Sequence, residues 1–463
     1  LVFVAALSGC TALAPQSSAL PETPVPDAWT TQVASPYALA SPSTASLSDW
    51  WDRFNDPQLT ALITQALQAN TDVRSAQAAL LQARALRDVR SASLLPAVGT
   101  SASARRSQSG SNDPANSFQA GFDASWEPDV FGGNRSAVNA TTADAQAAQA
   151  SLANVQVSIA AEVAVTYIEL RGLQARLAIA RRNLAAQRET LQLSRWRAQA
   201  GLVSSLDVEQ AVAASEQTSA QIPLLQTSAA QALSSLAVLS GKAPGALQAS
   251  LGAPVAVPQA PADLALALPA DTLRQRPDVR AAERRISAAL ARVAQADAAR
   301  YPGFQLGGSL GLNALTLGTL TSGASVVRSL LASVSVPLFD GGAARAQVRA
   351  QEAVLEQTRV AYQATVLTAL KDVEDALVSL QGNRERLARL QAAAEAAGNA
   401  DLLAGQRYAS GLIDFRSVLE TQRTLLSTQD SVESTRASLS ADHVRLYKAL
   451  GGGWTPATDT ASP

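Results

Sequence analysis

Phe118-Gln119-Ala120-Gly121-Phe122-Asp123-Ala124-Ser125-Trp126-Glu127 changes character at every step. Phe118, Ala120, Phe122, Ala124 and Trp126 fall on one side of an extended chain, and Gln119, Gly121, Asp123, Ser125 and Glu127 fall on the other. Successive side chains of a strand point to opposite faces, so this is a strand with one apolar and one polar side. The alternation returns later: Phe304, Leu306, Leu310 and Leu312 oppose Gln305, Ser309 and Asn313, and Leu330, Ala332, Val334 and Val336 oppose Ser333 and Ser335. Each half of the chain thus offers two strands of roughly ten residues, the length that crosses a bilayer at the tilt of a barrel. A soluble sheet with one wetted face alternates in the same way, so the pattern alone leaves both open.

The strands lie inside a duplication. Asp72-Val73-Arg74 opens a segment that runs to Leu94-Leu95-Pro96, and Asp278-Val279-Arg280 opens one that runs to Arg300-Tyr301-Pro302, a displacement of about 206 residues. Phe131-Gly132-Gly133 recurs as Asp340-Gly341-Gly342, and Ala200-Gly201-Leu202-Val203 as Ser410-Gly411-Leu412-Ile413. After each strand pair comes a proline-free segment with coiled-coil spacing, over about 134–200 and about 343–410. Each would be about 100 Å long as one continuous helix. Val163, Leu170 and Leu177 recur as Val373, Leu380 and Leu387. Gly201 and Gly411 are placed to end these helices in a left-handed turn, and Ser204 and Asp414 to cap returning helices that reach about 240 and about 449.

The predicted layout is a signal remnant at 1–9, an extended tail at 10–48, a first repeat at 49–241 with strands at about 97–131, and a Pro-rich linker at 242–271. A second repeat at 272–450 follows, with strands at about 303–340, and then a C-terminal tail at 451–463. The first repeat begins with Trp50-Trp51-Asp52-Arg53-Phe54, read as a local packing cluster, and a helical stretch from Gln58 to about Leu95.

With 16% charged and 4% aromatic residues and a formal charge of -1, the 463-residue chain fits long helices and offers no basic surface for nucleic acid. No apolar run is long enough for a membrane-spanning helix. One cysteine and one histidine leave little room for disulfides or a zinc site, and His443 has no partner motif for catalysis. No metal, cofactor or catalytic residue is expected. The cysteine ends an apolar run, Leu7-Ser8-Gly9-Cys10, which resembles a bacterial lipobox. That resemblance implies covalent lipid on Cys10, and the non-acidic Thr11 implies delivery to the outer membrane.

Four amphipathic strands cannot close a barrel, and an open edge in lipid leaves backbone groups unpaired. Several copies must share one barrel. Two copies give eight strands and a filled interior, whereas three give twelve and a water path.

Trp50-Trp51-x-x-Phe54-x-Asp56-Pro57, the repeated Asp-Val-Arg segments, Val130-Phe131-Gly132-Gly133, Arg407-Tyr408-x-x-Gly411, Gln422-Arg423 and the run from Leu446 to Trp454 resemble the TolC/OprM family of outer-membrane factors. The lipobox resembles that of the lipoprotein branch serving resistance-nodulation-division efflux pumps. The resemblance covers nearly the whole chain. It implies a mostly α fold with a transmembrane β-barrel: a homotrimer with a twelve-stranded barrel joined to a long periplasmic α-helical barrel, and an equatorial region that includes the linker. It also implies docking onto a periplasmic membrane-fusion adaptor and an inner-membrane pump, with no chemistry in the duct itself. The family closes its periplasmic end through Tyr, Arg and Asp side chains near the second hairpin tip, which here implicates Tyr408, Arg416, Glu420 and Arg423. Glu420 stands where Asp is usual, Ala409 where Arg is expected, and Arg416 at a normally apolar position, so a pairing of Glu420 with Arg416 or Arg423, within or between copies, is the expected closure. The tips, Gly201, Leu202, Val203 and Ser204 with Gly411, Leu412, Ile413 and Asp414, are the expected adaptor contacts. A competing class is a coiled-coil lipoprotein tether, which would need none of the alternating strands; within the export class, cation efflux and type I protein secretion use the same scaffold.

Overall fold

The computed structural model describes residues 21, 24–30, 47–110, 113–261, 272, 273 and 275–454. Cys10 with the residues before it, most of the 10–48 tail, residues 262–271 of the linker and residues 455–463 of the C-terminal tail lie outside the described residues. After a 3-10 turn at Trp50–Phe54 come α1 (Pro57–Ala69), α2 (Thr71–Ala92), β1 (Ala97–Ser107), β2 (Ala115–Trp126), α3 (Gly133–Gln199) and α4 (Ser205–Leu239). The second half supplies α5 (Pro277–Ala298), β3 (Gly303–Ala314), β4 (Val326–Ser335), α6 (Ala343–Ala409) and α7 (Phe415–Ala449).

The strands form one antiparallel sheet in the order β1-β2-β3-β4, so the halves of the duplication meet where β2 pairs with β3. Directly opposed residues share a face. Phe122 lies opposite Thr100 and Leu310, and Ala120 opposite Ala102 and Leu312. Gln119 lies opposite Ser103 and Asn313, and Ser309 opposite Asp123 and Ser329. One face is therefore mainly apolar and the other mainly small and polar, broken by Arg105, Val327 and Leu331, with Ser101 Oγ donating to Asp123 Oδ2 at 3.0 Å and the Ser309 and Ser329 hydroxyls 2.7 Å apart. On the polar face Gly121 opposes Gly311 so closely that a Cβ on Gly121 would sit 2.8 Å from the Gly311 Cα. β1 and β4 each pair on one side only and are exposed throughout.

The chain forms two compact units that cut across the repeats. One combines Ala78–Ser151 with Asp278–Thr365 and holds all four strands. The other comprises the described residues of Pro24–Gln77, Leu152–Pro277 and Val366–Pro463.

In the strand-bearing unit, an aspartate starts each long helix from a different position of the repeat. Asp129 accepts the Asn134 and Arg135 N–H groups at 3.0 and 2.8 Å, and Asp340 accepts those of Gly342 and Ala344, both at 2.8 Å. Burial opposes ionisation at Asp129, but these bonds and the Arg135 guanidinium outweigh it and hold the carboxyl below its ordinary value.

In the second unit the core gathers on α3. Trp50 is fully buried, stacked on Tyr447 with centroids 5.6 Å apart and set edge-on to Trp51 and Phe54, which bears out packing as the role of the Trp pair. Pro57 opens α1, and Asp56 caps it through the Gln58 and Leu59 N–H groups. The other Asp56 oxygen accepts the Tyr167 hydroxyl at 2.8 Å. Burial first, aided by Asp56, pushes the Tyr167 pKa up to about 12. Arg171 lies fully buried below that ring, donating to Gln58, Gln174 and the Leu251 and Ala253 carbonyls.

Two expectations need correction. The helical stretch after Gln58 is not continuous, because Asn70 ends α1 with an extended backbone and begins α2. Its Oδ1 accepts the Asp72 and Val73 N–H groups while its Nδ2 donates to the Leu239 carbonyl at 3.0 Å. A break fixed on three sides by one amide leaves the apolar pattern intact. Second, α3 and α4 each contain a window with mean hydropathy 1.3, enough by composition to cross a membrane. Half of that window in α3 and a third in α4 is buried within the chain, as suits Ala-rich helices that pack on neighbours.

His443 is a buried helix residue whose Nδ1 donates to the Leu439 carbonyl at 2.9 Å, and its Nε2 has no hydrogen-bond partner among the described residues. Burial lowers its pKa below 6.5; Arg384 and Arg53 act in the same direction, and the Leu439 bond and Asp442 oppose it. The unfolded chain therefore binds more protons just below pH 6.5, and the stability this residue contributes, present above that value, is lost as pH falls through the lowered pKa. Thermal unfolding in detergent is expected to shift down on acidification below pH 6.5 and to flatten in His443→Gln; equal acid loss in both would assign the dependence elsewhere.

Candidate gate and docking tip

Both long helices end in the same hydrogen-bonded reversal. The Leu202 N–H reaches the Arg197 carbonyl at 2.8 Å and the Gly201 N–H that of Ala198 at 3.0 Å. The Leu412 N–H reaches Arg407 at 2.9 Å and the Gly411 N–H reaches Tyr408 at 3.0 Å. This paired closure needs a left-handed residue after the helix, and Gly201 and Gly411 supply it at φ 70° and 73°. The chain then re-enters a helix through a side-chain cap. Ser204 and Asp207 bond reciprocally to each other's backbone N–H, and Asp414 accepts the Ser417 N–H at 3.0 Å. Bonds from the Ser417 hydroxyl and N–H hold the Asp414 carboxyl below its ordinary value.

The residue after the glycine in such a turn usually folds back onto the helix. Here Leu202 and Leu412 are each 73% exposed. Val203 and Ile413 are half-buried, and Ile413 packs on the cluster of Leu191, Ala211, Ala404, Tyr408, Phe415 and Val418 that fills the tip.

Tyr408 is buried in that cluster, its ring tilted against Phe415 with centroids 5.5 Å apart. The Arg197 guanidinium sits 4.4 Å from the Tyr408 ring centroid and donates to the Tyr408 and Ala409 carbonyls at 3.3 and 3.4 Å. The Tyr408 hydroxyl has no hydrogen-bond partner among the described residues. Arg416, Glu420 and Arg423 are all exposed, and no ion pair joins Glu420 to either arginine within the chain. Of the four residues expected to form a gate, Tyr408 is engaged by Arg197, and the other three are exposed. Arg197 was missed from the sequence, although the repeat carried a cue: Arg197 and Arg407 hold the same place before Gly201 and Gly411.

Away from the turn, polar pairs fasten α7 to its neighbours. Arg176 grips Asp430 through two bonds of 2.7 and 3.1 Å, Asn183 Nδ2 donates to Gln429, and Gln422 Nε2 donates to Thr190 Oγ1. Thr421 Oγ1 donates to Asp401 at 3.3 Å, yet burial raises the Asp401 pKa above its ordinary value. Among the described residues no group of His, Cys, Asp and Glu is placed to hold a metal.

The outer membrane efflux protein family matches residues 62–242 and 268–452, one match in each half of the chain. The pyoverdine export outer membrane protein OpmQ of Pseudomonas aeruginosa is 33% identical over 441 residues, covering 90% of each chain. The toluene efflux pump outer membrane protein TtgF of Pseudomonas putida is 31% identical over 470 residues, covering 97% of this chain and 95% of its own. The solved structure of the outer-membrane channel OprN superposes with a TM-score of 0.86 at 34% identity, over 95% of this chain and 100% of its own. The structure of CusC superposes at 0.84 with 26% identity and the same coverage.

Proposed function

The chain belongs to the outer membrane efflux protein family, and on that footing we propose that three copies close one barrel and form the exit duct of a tripartite pump. The protein is the outer-membrane channel component of an efflux system and not an enzyme. The observation that carries the trimer is the sheet: four strands with one apolar face and two open edges, β1 and β4. Joining β1 of each copy to β4 of the next pairs every edge, and twelve strands leave a water-filled interior lined by the small polar face. Lipid on Cys10 anchors each copy beside the barrel. Bridging cysteines placed by Ser103→Cys and Ser329→Cys with a short bifunctional maleimide is expected to give a covalent trimer, while monomer alone would refute the shared barrel; intact mass of the same preparation reads the lipid, which an unmodified Cys10 would exclude.

A periplasmic membrane-fusion adaptor docks on the tips and links the duct to a resistance-nodulation-division pump in the inner membrane. Leu202 and Leu412 support this, being exposed apolar side chains on a turn that normally buries them. Between copies, Glu420 pairs with Arg416 or Arg423 to hold the tip shut, since all three are exposed on their own chain. An exposed pair of this kind contributes about 0.2–1 kcal/mol, so closure relies on its repetition around the threefold axis and on the Arg197–Tyr408 contact behind it. The relatives named for pyoverdine export and toluene efflux speak for small organic cargo over protein. In planar bilayers, Glu420→Ala and Arg423→Ala should raise the basal conductance, and Leu202→Asp with Leu412→Asp should leave it unchanged but abolish the response to added adaptor. Wild-type currents in the first pair would remove the gate assignment, and a retained adaptor response in the second would remove the docking surface.

A further inference from the structure

The apolar face of the sheet carries two arginines, both close to the same end. At the other end the strands lead into helices: α2 ends at Ala92 before β1, α3 starts at Gly133 after β2, α5 ends at Ala298 before β3 and α6 starts at Ala343 after β4. The helix-distal ends are joined by the connections at 108–114 and 315–325. Arg106 is the last residue but one of β1 at this end, and Arg328 is the third residue of β4 from it. Arg106 opposes Asn116 and shares the side of Ala104 and Ala102; Arg328 opposes Leu310, which opposes Phe122. Both are exposed, and neither forms a hydrogen bond or ion pair with another described residue. Asp123, the acidic residue of the strands, lies on the opposite face, with Ser101.

An arginine on a lipid-facing wall is costly at the bilayer centre and nearly free at the interface, where lipid headgroups lie. The two strands concerned are the open edges of the sheet, so closure by sister copies, on which this inference rests, sets them side by side across each seam. We propose that Arg106 of one copy and Arg328 of the next form a cleft on the outer wall of the barrel, near its extracellular rim, that binds the phosphate groups of lipid A in the outer leaflet. The planar guanidinium fork matches a phosphate with two parallel hydrogen bonds, which a lysine cannot reproduce. The apolar residues lying on the helix side of the pair, Leu330, Ala332 and Val334 on β4 and Val98 on β1, offer surface for acyl chains. The local cation pair supplies the attraction, since the whole chain is close to neutral.

Native mass spectrometry of delipidated protein reports oligomeric state and bound lipid together. With lipid A added, wild-type trimers are expected to retain about one lipid per seam, and Arg106→Gln/Arg328→Gln trimers about tenfold less. Arg106→Lys/Arg328→Lys, which keeps the charge and loses the fork, should fall between. Dephosphorylated lipid A should bind wild type no better than the double Gln variant, and inorganic phosphate should not displace lipid A. Equal retention by wild type and the double Gln trimer, tight binding of the dephosphorylated lipid, or displacement by free phosphate would overturn the cleft while leaving the trimer intact. Spectra showing monomer alone would overturn the shared barrel, and the cleft with it.

Discussion

A strand that ends a sheet has backbone N–H and C=O groups with nowhere to go, and in hydrocarbon each such group costs several kcal/mol. β1 and β4 are two such strands, exposed along their whole length and backed by an apolar face that suits lipid better than water. The rest of the structure follows from how that demand is met. The duplication supplies two strand pairs that join at β2 and β3, and the Gly121–Gly311 contact lets these two approach closely on the polar side. Since the pairing inside the chain stops there, the open edges are the surfaces on which further copies assemble in the proposed channel.

The helical segments face a milder version of the same problem. Helices rich in alanine bury little area per residue and gain stability only beside neighbours. Where neighbours exist within the chain, polar contacts fix the register: Arg176 with Asp430, Asn183 with Gln429, Gln422 with Thr190. The buried Arg171, held by two side-chain amides and two carbonyls with no ion pair to a carboxylate among the described residues, ties α1 and the turn at Gln248–Leu251 to α3. At the tip the balance changes. Tyr408 is buried with its hydroxyl unpartnered among the described residues, a state that costs about 1–3 kcal/mol, while Arg416, Glu420 and Arg423 are exposed.

The strands were legible because a period of two survives in any sequence with one wet and one dry face, and the tips were legible because a glycine followed by a capping side chain is local chemistry. Ser204 and Asp414 cap as their positions required. The break at Asn70 was not legible, because the apolar spacing continues through it and the amide's third partner, Leu239, is remote in sequence. Arg197 was passed over for a similar reason: its partner ring belongs to the other repeat, and a cation above an aromatic leaves no spacing signature. The apolar windows of α3 and α4 were underestimated because alanine raises hydropathy without bulk. Tyr408 was identified by its resemblance to a family position, and that resemblance conveyed nothing of the cation above its ring.

The central claim is that the edges of the sheet are paired in the working protein. Amide hydrogen exchange of the detergent-solubilised protein, read along β1 and β4, tests it directly. Edge N–H groups that point away from β2 and β3 should exchange as slowly as those between β2 and β3. Fast exchange at those edge positions, beside slow exchange in the middle of the sheet, would show free edges and contradict the account.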